Sequence, residues 1–177
     1  MKSLPRLAGA LVPLLLSACF SSSPPAPAVR WFDPTPRELP PVPAGLPAVR
    51  LRVQSPPHLG RELAYRVGDR EFTFDADHRW IAEPSALLQA ALARGLSASG
   101  SGLDVVVDLE RFEFDVVGAP RVRVQCTLRV AMAGVAEQRL ESVQSAASRS
   151  VDALVTAMAL ALVDITAQVQ RAVAPKN

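Results

Sequence analysis

ELAYRVGDREFTFDADHRWIAEPSALLQAALARGL, residues 62–96, changes its apolar period from two to between three and four, and that change decides the fold. Leu63-Ala64-Tyr65-Arg66-Val67 and Arg70-Glu71-Phe72-Thr73-Phe74 flank Gly68-Asp69, so Glu62 to Asp75 reads as a β-hairpin. Glycine at the first loop position suits a type II′ turn. Beyond it, Leu88, Ala91, Leu92 and Gly95 or Leu96 recur at helical spacing, and Pro84 fits a first turn, which predicts a helix from Glu83 to Leu96 with one apolar face. Hairpin and helix each need a surface to cover, and one shared layer serves both.

Upstream of this stretch, Val49, Leu51 and Val53 alternate with Arg50, Arg52 and Gln54, the pattern of a strand buried on one side. Downstream, Ser97 to Gly102 reads as a loop, and Leu103, Val105, Val107 and Leu109 then alternate. Phe112 and Phe114 continue on the opposite parity, so a bulge is expected near Glu110 or Arg111. Val122 to Met132 is a further strand, and Gly134 turns the chain into a polar partner from Val135 to about Ser145. Ser150 is a candidate N-cap for a long C-terminal helix, on which Val151, Leu154, Val155, Met158, Leu162, Ile165, Val169 and Val173 form one stripe. Asp152, Asp164, Gln168, Gln170 and Arg171 argue against a membrane span, and the stripe is expected on the sheet rather than on a partner helix. The fold class is α+β: an antiparallel or mixed sheet with two helices on one face.

The start of the chain is of another kind. Lys2 and Arg6 precede an apolar run from Leu7 to Leu16, a secretory signal pattern too short for a lasting span. Its end, Leu16-Ser17-Ala18-Cys19, resembles the lipobox of bacterial lipoproteins, which implies cleavage after residue 18 and a diacylglycerol thioether on Cys19. Two or three acyl chains hold a protein on a membrane where one lets it dissociate. Phe20 and Ser21 follow where lipoproteins retained in the inner membrane usually carry Asp, so the resemblance favours the outer membrane. Nine prolines from Pro24 to Pro47 make residues 19–46 read as an extended tether, interrupted by Val29-Arg30-Trp31-Phe32, a short docking strand. Phe20 to Ala28 in polyproline geometry reaches roughly 28 Å from the membrane. The folded domain is expected over 47–174.

Charge and chemistry narrow the function. Once Lys2 and Arg6 are removed, 17 basic side chains balance 17 acidic ones, which gives no footing for nucleic acid. Zinc-protease, nucleophile-elbow and phosphate-loop motifs are all missing, so neither an enzyme nor a bound cofactor is expected. Cys126, alternating with Val122, Val124, Leu128 and Val130, reads as a buried small hydrophobe, and His58, after Pro56-Pro57, as a solvent-facing loop residue. Asp75, Asp77 and His78 form the one dense polar cluster. Two carboxylates and an imidazole suit a divalent cation, but three ligands within four residues seldom close a site, so no metal is assigned. The alternative is surface pairing of Asp77 with Arg79, with Trp80 plugging the junction of hairpin and helix.

Tyr65-Arg66-Val67, Gly68-Asp69-Arg70 and Phe72, followed by His78-Arg79-Trp80-Ile81-Ala82-Glu83-Pro84 and a helix, resemble the signature of the PqiC-type family of ABC-type transport auxiliary lipoproteins. Trp31-Phe32-Asp33-Pro34 resembles that family's early aromatic strand, and Ile81 is an insertion relative to its pattern. The likeness runs from about Val29 to Ala172. It implies a non-enzymatic role beside a periplasmic MCE-domain protein, with an inner-membrane ABC permease and ATPase, at the outer-membrane end of a lipid-transport bridge and as a homo-oligomeric ring. It makes Tyr65, Arg66, His78, Arg79, Trp80, Glu83 and Pro84 the candidate partner-binding or structural residues. The competing expectation is a module that itself carries a lipid or small apolar ligand between sheet and helices.

Overall fold

The computed structural model describes residues 28–96, 102–131 and 137–175, so the leader, Cys19 and the expected turn at Gly134 lie outside the described residues. Seven strands, β1 Arg30–Phe32, β2 Val49–Gln54, β3 Glu62–Arg66, β4 Phe72–Trp80, β5 Leu103–Asp115, β6 Arg121–Val130 and β7 Gln138–Ser145, make one mixed sheet. Its order is β1-β4-β3-β5-β6-β7, with β2 also paired to β5. Two helices, α1 Pro84–Gly95 and α2 Val151–Val173, pack on the sheet and on each other, as the α+β expectation required.

The 13 residues of β5 organise the sheet because they are enough for two partners on one edge. Its first half pairs in parallel with β2, its last residues pair in parallel with β3, and its other edge takes β6 antiparallel throughout. Between Leu109↔Cys126 and Arg111↔Gln125, Glu110 is the extra residue of the expected bulge. The bulge restores parity: Val105, Val107 and Leu109 before it, and Phe112 and Phe114 after it, all face the helices and are at most 1% exposed. Glu110 accepts from Thr127 Oγ1 (2.5 Å) and from Gln125 Nε2.

At its N-terminus α2 is capped by Ser150, whose Oγ accepts from Ala153 N at 3.3 Å. By length and hydropathy it qualifies as a membrane span, yet Leu154, Met158, Leu162, Ile165 and Val169 are wholly buried in the domain core. Gly95 lets the helices cross closely, because a Cβ there would lie 2.3 Å from Thr166 Cγ2. Gly102, at φ +118°, is required where β5 starts, since a Cβ would strike Ala48 O at 2.1 Å. Cys126 is buried on β6, and burial first, then Glu110 and Asp108, pushes its thiol up to about 12, which keeps it protonated.

Three expectations are corrected. No two-residue type II′ turn joins β3 to β4: Val67 N donates to Glu71 O (3.1 Å), leaving a three-residue loop, and Gly68 is absent from the positive-φ glycines, Gly45, Gly102 and Gly118. Nor does the hairpin end at Asp75, for β4 continues through Trp80. The register runs Ala64↔Phe74 and then Glu62↔Arg79, so β4 has the longer path and bulges at residues 75–78. Finally, residues 33–46 do not hang free as a tether. Pro34 and Pro36 are buried, and proline-rich backbone, which forms no ladder, finds donors on the helices. Arg94 donates to Pro36 O (3.0 Å) and Arg37 O (3.3 Å), while Gln170 Nε2 donates to Gly95 O (2.8 Å) and Pro41 O (3.3 Å).

Candidate docking face

The helices cover one side of the sheet. Side chains of opposite parity form the other side, where acids and arginines alternate across neighbouring strands. Arg50 meets Asp104 (3.0 Å), Arg129 meets Asp108, Arg121 meets Asp115 (2.8 Å) and Arg123 meets Glu141 (3.4 Å). Arg139 reaches Glu110 at 3.4 Å and is 66% exposed, so this end of the face offers charge to solvent while remaining internally compensated.

The candidate signature residues cluster at the other end, on β3, β4 and the start of α1. Arg66 holds Glu113 of β5 with two hydrogen bonds, Nε to Oε1 (2.8 Å) and Nη2 to Oε2 (3.1 Å), and gives Nη1 to Asp69 O (2.8 Å) in the β3–β4 loop. Its guanidinium also sits 4.2 Å from the Phe72 ring centroid. Hydrogen bonding to Glu113 outweighs burial and raises the Arg66 pKa, so the guanidinium stays charged. Arg79 pairs with Glu62 across the β3–β4 ladder, not with Asp77 as the surface-pairing alternative had it.

Tyr65, Asp75 and His78 form a second group on the helix-facing side. His78 Nδ1 lies 2.8 Å from Asp75 Oδ2, and Tyr65 OH donates to the same oxygen at 3.4 Å. Asp75 Oδ1 accepts from the Asp77 and His78 N–H groups (2.9 and 3.1 Å), which is how this side chain builds the bulge. Asp75 is thereby occupied with its own strand, and among the described residues no group of three or more His, Cys, Asp or Glu side chains is arranged to hold a metal. Burial first, then the Asp75 charge, raises the Tyr65 phenol pKa. Trp80 is 1% exposed and packs edge-on against Phe112 (5.3 Å) and Phe114 (5.5 Å). Glu83 and Pro84 start α1 by backbone geometry, Glu83 O accepting from Leu87 N at 3.0 Å with no side-chain cap.

Burial alone pushes the Asp75 carboxyl up, but the His78 ring and the two backbone N–H groups outweigh it and hold it below its usual range. A carboxyl depressed in the fold stabilises it above the unfolded value of about 3.9, and that contribution is lost as pH falls through the folded value. Asp75→Asn keeps the oxygen that accepts both N–H groups, removes the charge, and puts an amide NH2 where Oδ2 had faced Tyr65 OH and the His78 ring. It is expected to cost about 1 kcal/mol at neutral pH and nothing near pH 2, read from urea unfolding at both. A difference that stays constant with pH would rule out the ionic contribution.

Beside Arg66 and Glu113 the open face holds a hollow of about 390 Å³ lined chiefly by Leu59, Ala64, Arg66, Phe72, Phe74 and Glu113, with the exposed His58 at its rim. Phe72 and Phe74 are 42% and 51% exposed, which the sequence did not indicate, because both sides of β4 carry apolar residues. The short aromatic strand docks along β4, Trp31 pairing with Arg79 and Phe32 with Trp80, with the Phe32 side chain buried and Trp31 54% exposed.

Fold and face together define a one-sided α+β sandwich, a scaffold that presents a sheet. The chain belongs to the family of ABC-type transport auxiliary lipoprotein components, whose model matches residues 33–170. It is therefore a membrane-anchored lipoprotein associated with a transport system. A crystal structure of a protein from Xanthomonas campestris shares the fold with a TM-score of 0.64 at 18% identity, over 78% of this chain and 91% of that one. A second, of an uncharacterized protein, aligns at 0.62 and 14% identity over 81% and 97%. No curated protein matches the chain.

Proposed function

We propose that this chain is a non-enzymatic adaptor, acylated at Cys19 and seated in the outer membrane, that docks a periplasmic MCE-domain protein served by an inner-membrane ABC permease and ATPase. The observation that carries the reading is the open face of β5, β6 and β7, opposite the side on which α2 packs. Its paired arginines and carboxylates lie on a rigid ladder, and such a surface suits a polar protein partner more than a small substrate. The lipobox supplies the anchor, and family membership supplies the transport system.

Detergent extracts should yield the lipidated protein together with its MCE partner. Arg139→Glu combined with Val143→Glu, both at exposed positions of the open face, should abolish that association while leaving thermal unfolding nearly unchanged. A monomer recovered with no partner would overturn the adaptor. Stoichiometric lipid retained in native mass spectra would favour the carrier reading, which needs a cargo space.

A further inference from the structure

Among the described residues every exposed aromatic side chain, Trp31, Phe72 and Phe74, lies on β1 or β4. Strand register puts all three on one surface. Trp31 pairs with Arg79, Arg79 with Glu62, and Ala64 and Arg66, of the same parity as Glu62, with Phe74 and Phe72. Val29 (41% exposed) precedes Trp31 by two residues on the same side, and Ile81 (55%) extends the ladder by donating its N–H to Phe32 O at 2.9 Å. An apolar rim of this kind on a water-exposed sheet marks a contact surface.

The path of the chain identifies what covers it. Cys19 precedes Val29 by ten residues, and the nine between them reach at most about 28 Å in polyproline geometry. The acylated segment therefore joins the described domain beside this rim, so the bilayer that holds the acyl chains lies within reach of these aromatics. Tryptophan and phenylalanine among aliphatic side chains are suited to the headgroup boundary, where indole keeps a polar contact and the rings leave water.

We propose that Val29, Trp31, Phe72, Phe74 and Ile81 form a membrane-contact rim that seats the domain on the lipid surface beside its own anchor. This rests on the reading of Cys19 as acylated. The acyl chains supply affinity, and the rim sets orientation, turning the β5–β7 end of the sheet away from the lipid and toward the periplasm.

The chain has two tryptophans, and Trp80 is the buried one, so Trp31 reports on the rim against an internal reference. Full-length lipidated protein is reconstituted in phosphatidylethanolamine–phosphatidylglycerol vesicles carrying a nitroxide at a shallow acyl position. The expected result is quenching of part of the emission by the lipid label, with loss of acrylamide access to the same component. That component should vanish in Trp31→Phe and weaken in Phe74→Ser, both exposed and tolerant positions. Emission untouched by the label, with Trp31 open to acrylamide, overturns the proposal. Shielding from both quenchers that appears only as protein concentration rises, with a dimer in sedimentation, also overturns it by assigning the rim to a second copy. Mass spectra of the N-terminal peptide from the same vesicles separate the two readings. An acylated Cys19 without quenching sinks the rim alone, and an unmodified one sinks the anchor and the rim with it.

Discussion

Trp80→Ala is expected to destabilise the domain by about 3 to 5 kcal/mol, the range for deleting a large aromatic side chain from a core. The indole is the largest wholly buried side chain, and its edge-on contacts with Phe112 and Phe114 tie the end of β4 to the half of β5 beyond the bulge. β1 depends on the same place, since Phe32 pairs with Trp80 and its ring lies 5.5 Å from His78. Alanine would therefore leave a void where three strands meet, and small domains have only about 5 to 15 kcal/mol in total. Trp80→Phe should cost much less, because a ring remains and the buried Nε1–H, which meets no acceptor among the described residues, is removed. Urea unfolding of both variants checks the pair. A loss below about 1 kcal/mol for alanine would mean that the neighbouring strands close the gap without help.

Glu113→Ala should be nearly as costly, by about 3 kcal/mol, because it strands buried positive charge. Glu113 is 3% exposed and holds two guanidinium groups, Arg66 by two hydrogen bonds and Arg111 at 3.5 Å. Arg66→Ala should cost less, since Glu113 keeps Arg111. This asymmetry distinguishes a hub carboxylate from an ordinary pair. Replacing both with apolar residues, Arg66→Met with Glu113→Leu, should recover most of the loss, as buried ion pairs exchanged for packed side chains commonly do. Urea midpoints of the three variants give the comparison, and equal losses for the two single substitutions would remove Glu113 from its central place.

Both variants bear on the signature segment. Tyr65, Arg66, His78, Arg79, Trp80, Glu83 and Pro84 were open to a partner-binding or a structural reading. Their contacts bind β3, β4 and β5 together and launch α1, with Arg66, Arg79 and Trp80 each spent on an internal neighbour. Through those contacts they hold in place the sheet that carries the candidate docking face and the proposed rim.

The sequence by itself determined whatever depends on local period or local chemistry. Alternation located the strands, three- and four-residue spacing located the helices, the parity slip between Leu109 and Phe112 located the bulge, and Ser150 announced its helix. Each of those signals is carried by residues within a few positions of one another. Only the tertiary structure decided what depends on register over long separations. It chose Glu113, 47 residues away, as the acid for Arg66. It used helix side chains to satisfy the carbonyls of residues 36–41, which composition alone made a tether. Above all it decided which way β4 faces. Phe72 and Phe74 alternate with Thr73 and charged residues just as core residues would, and they point to the open side because Asp75 bends the strand and β3 fixes its pairing. A strand with apolar groups on both faces has no inward side until its neighbours are in place.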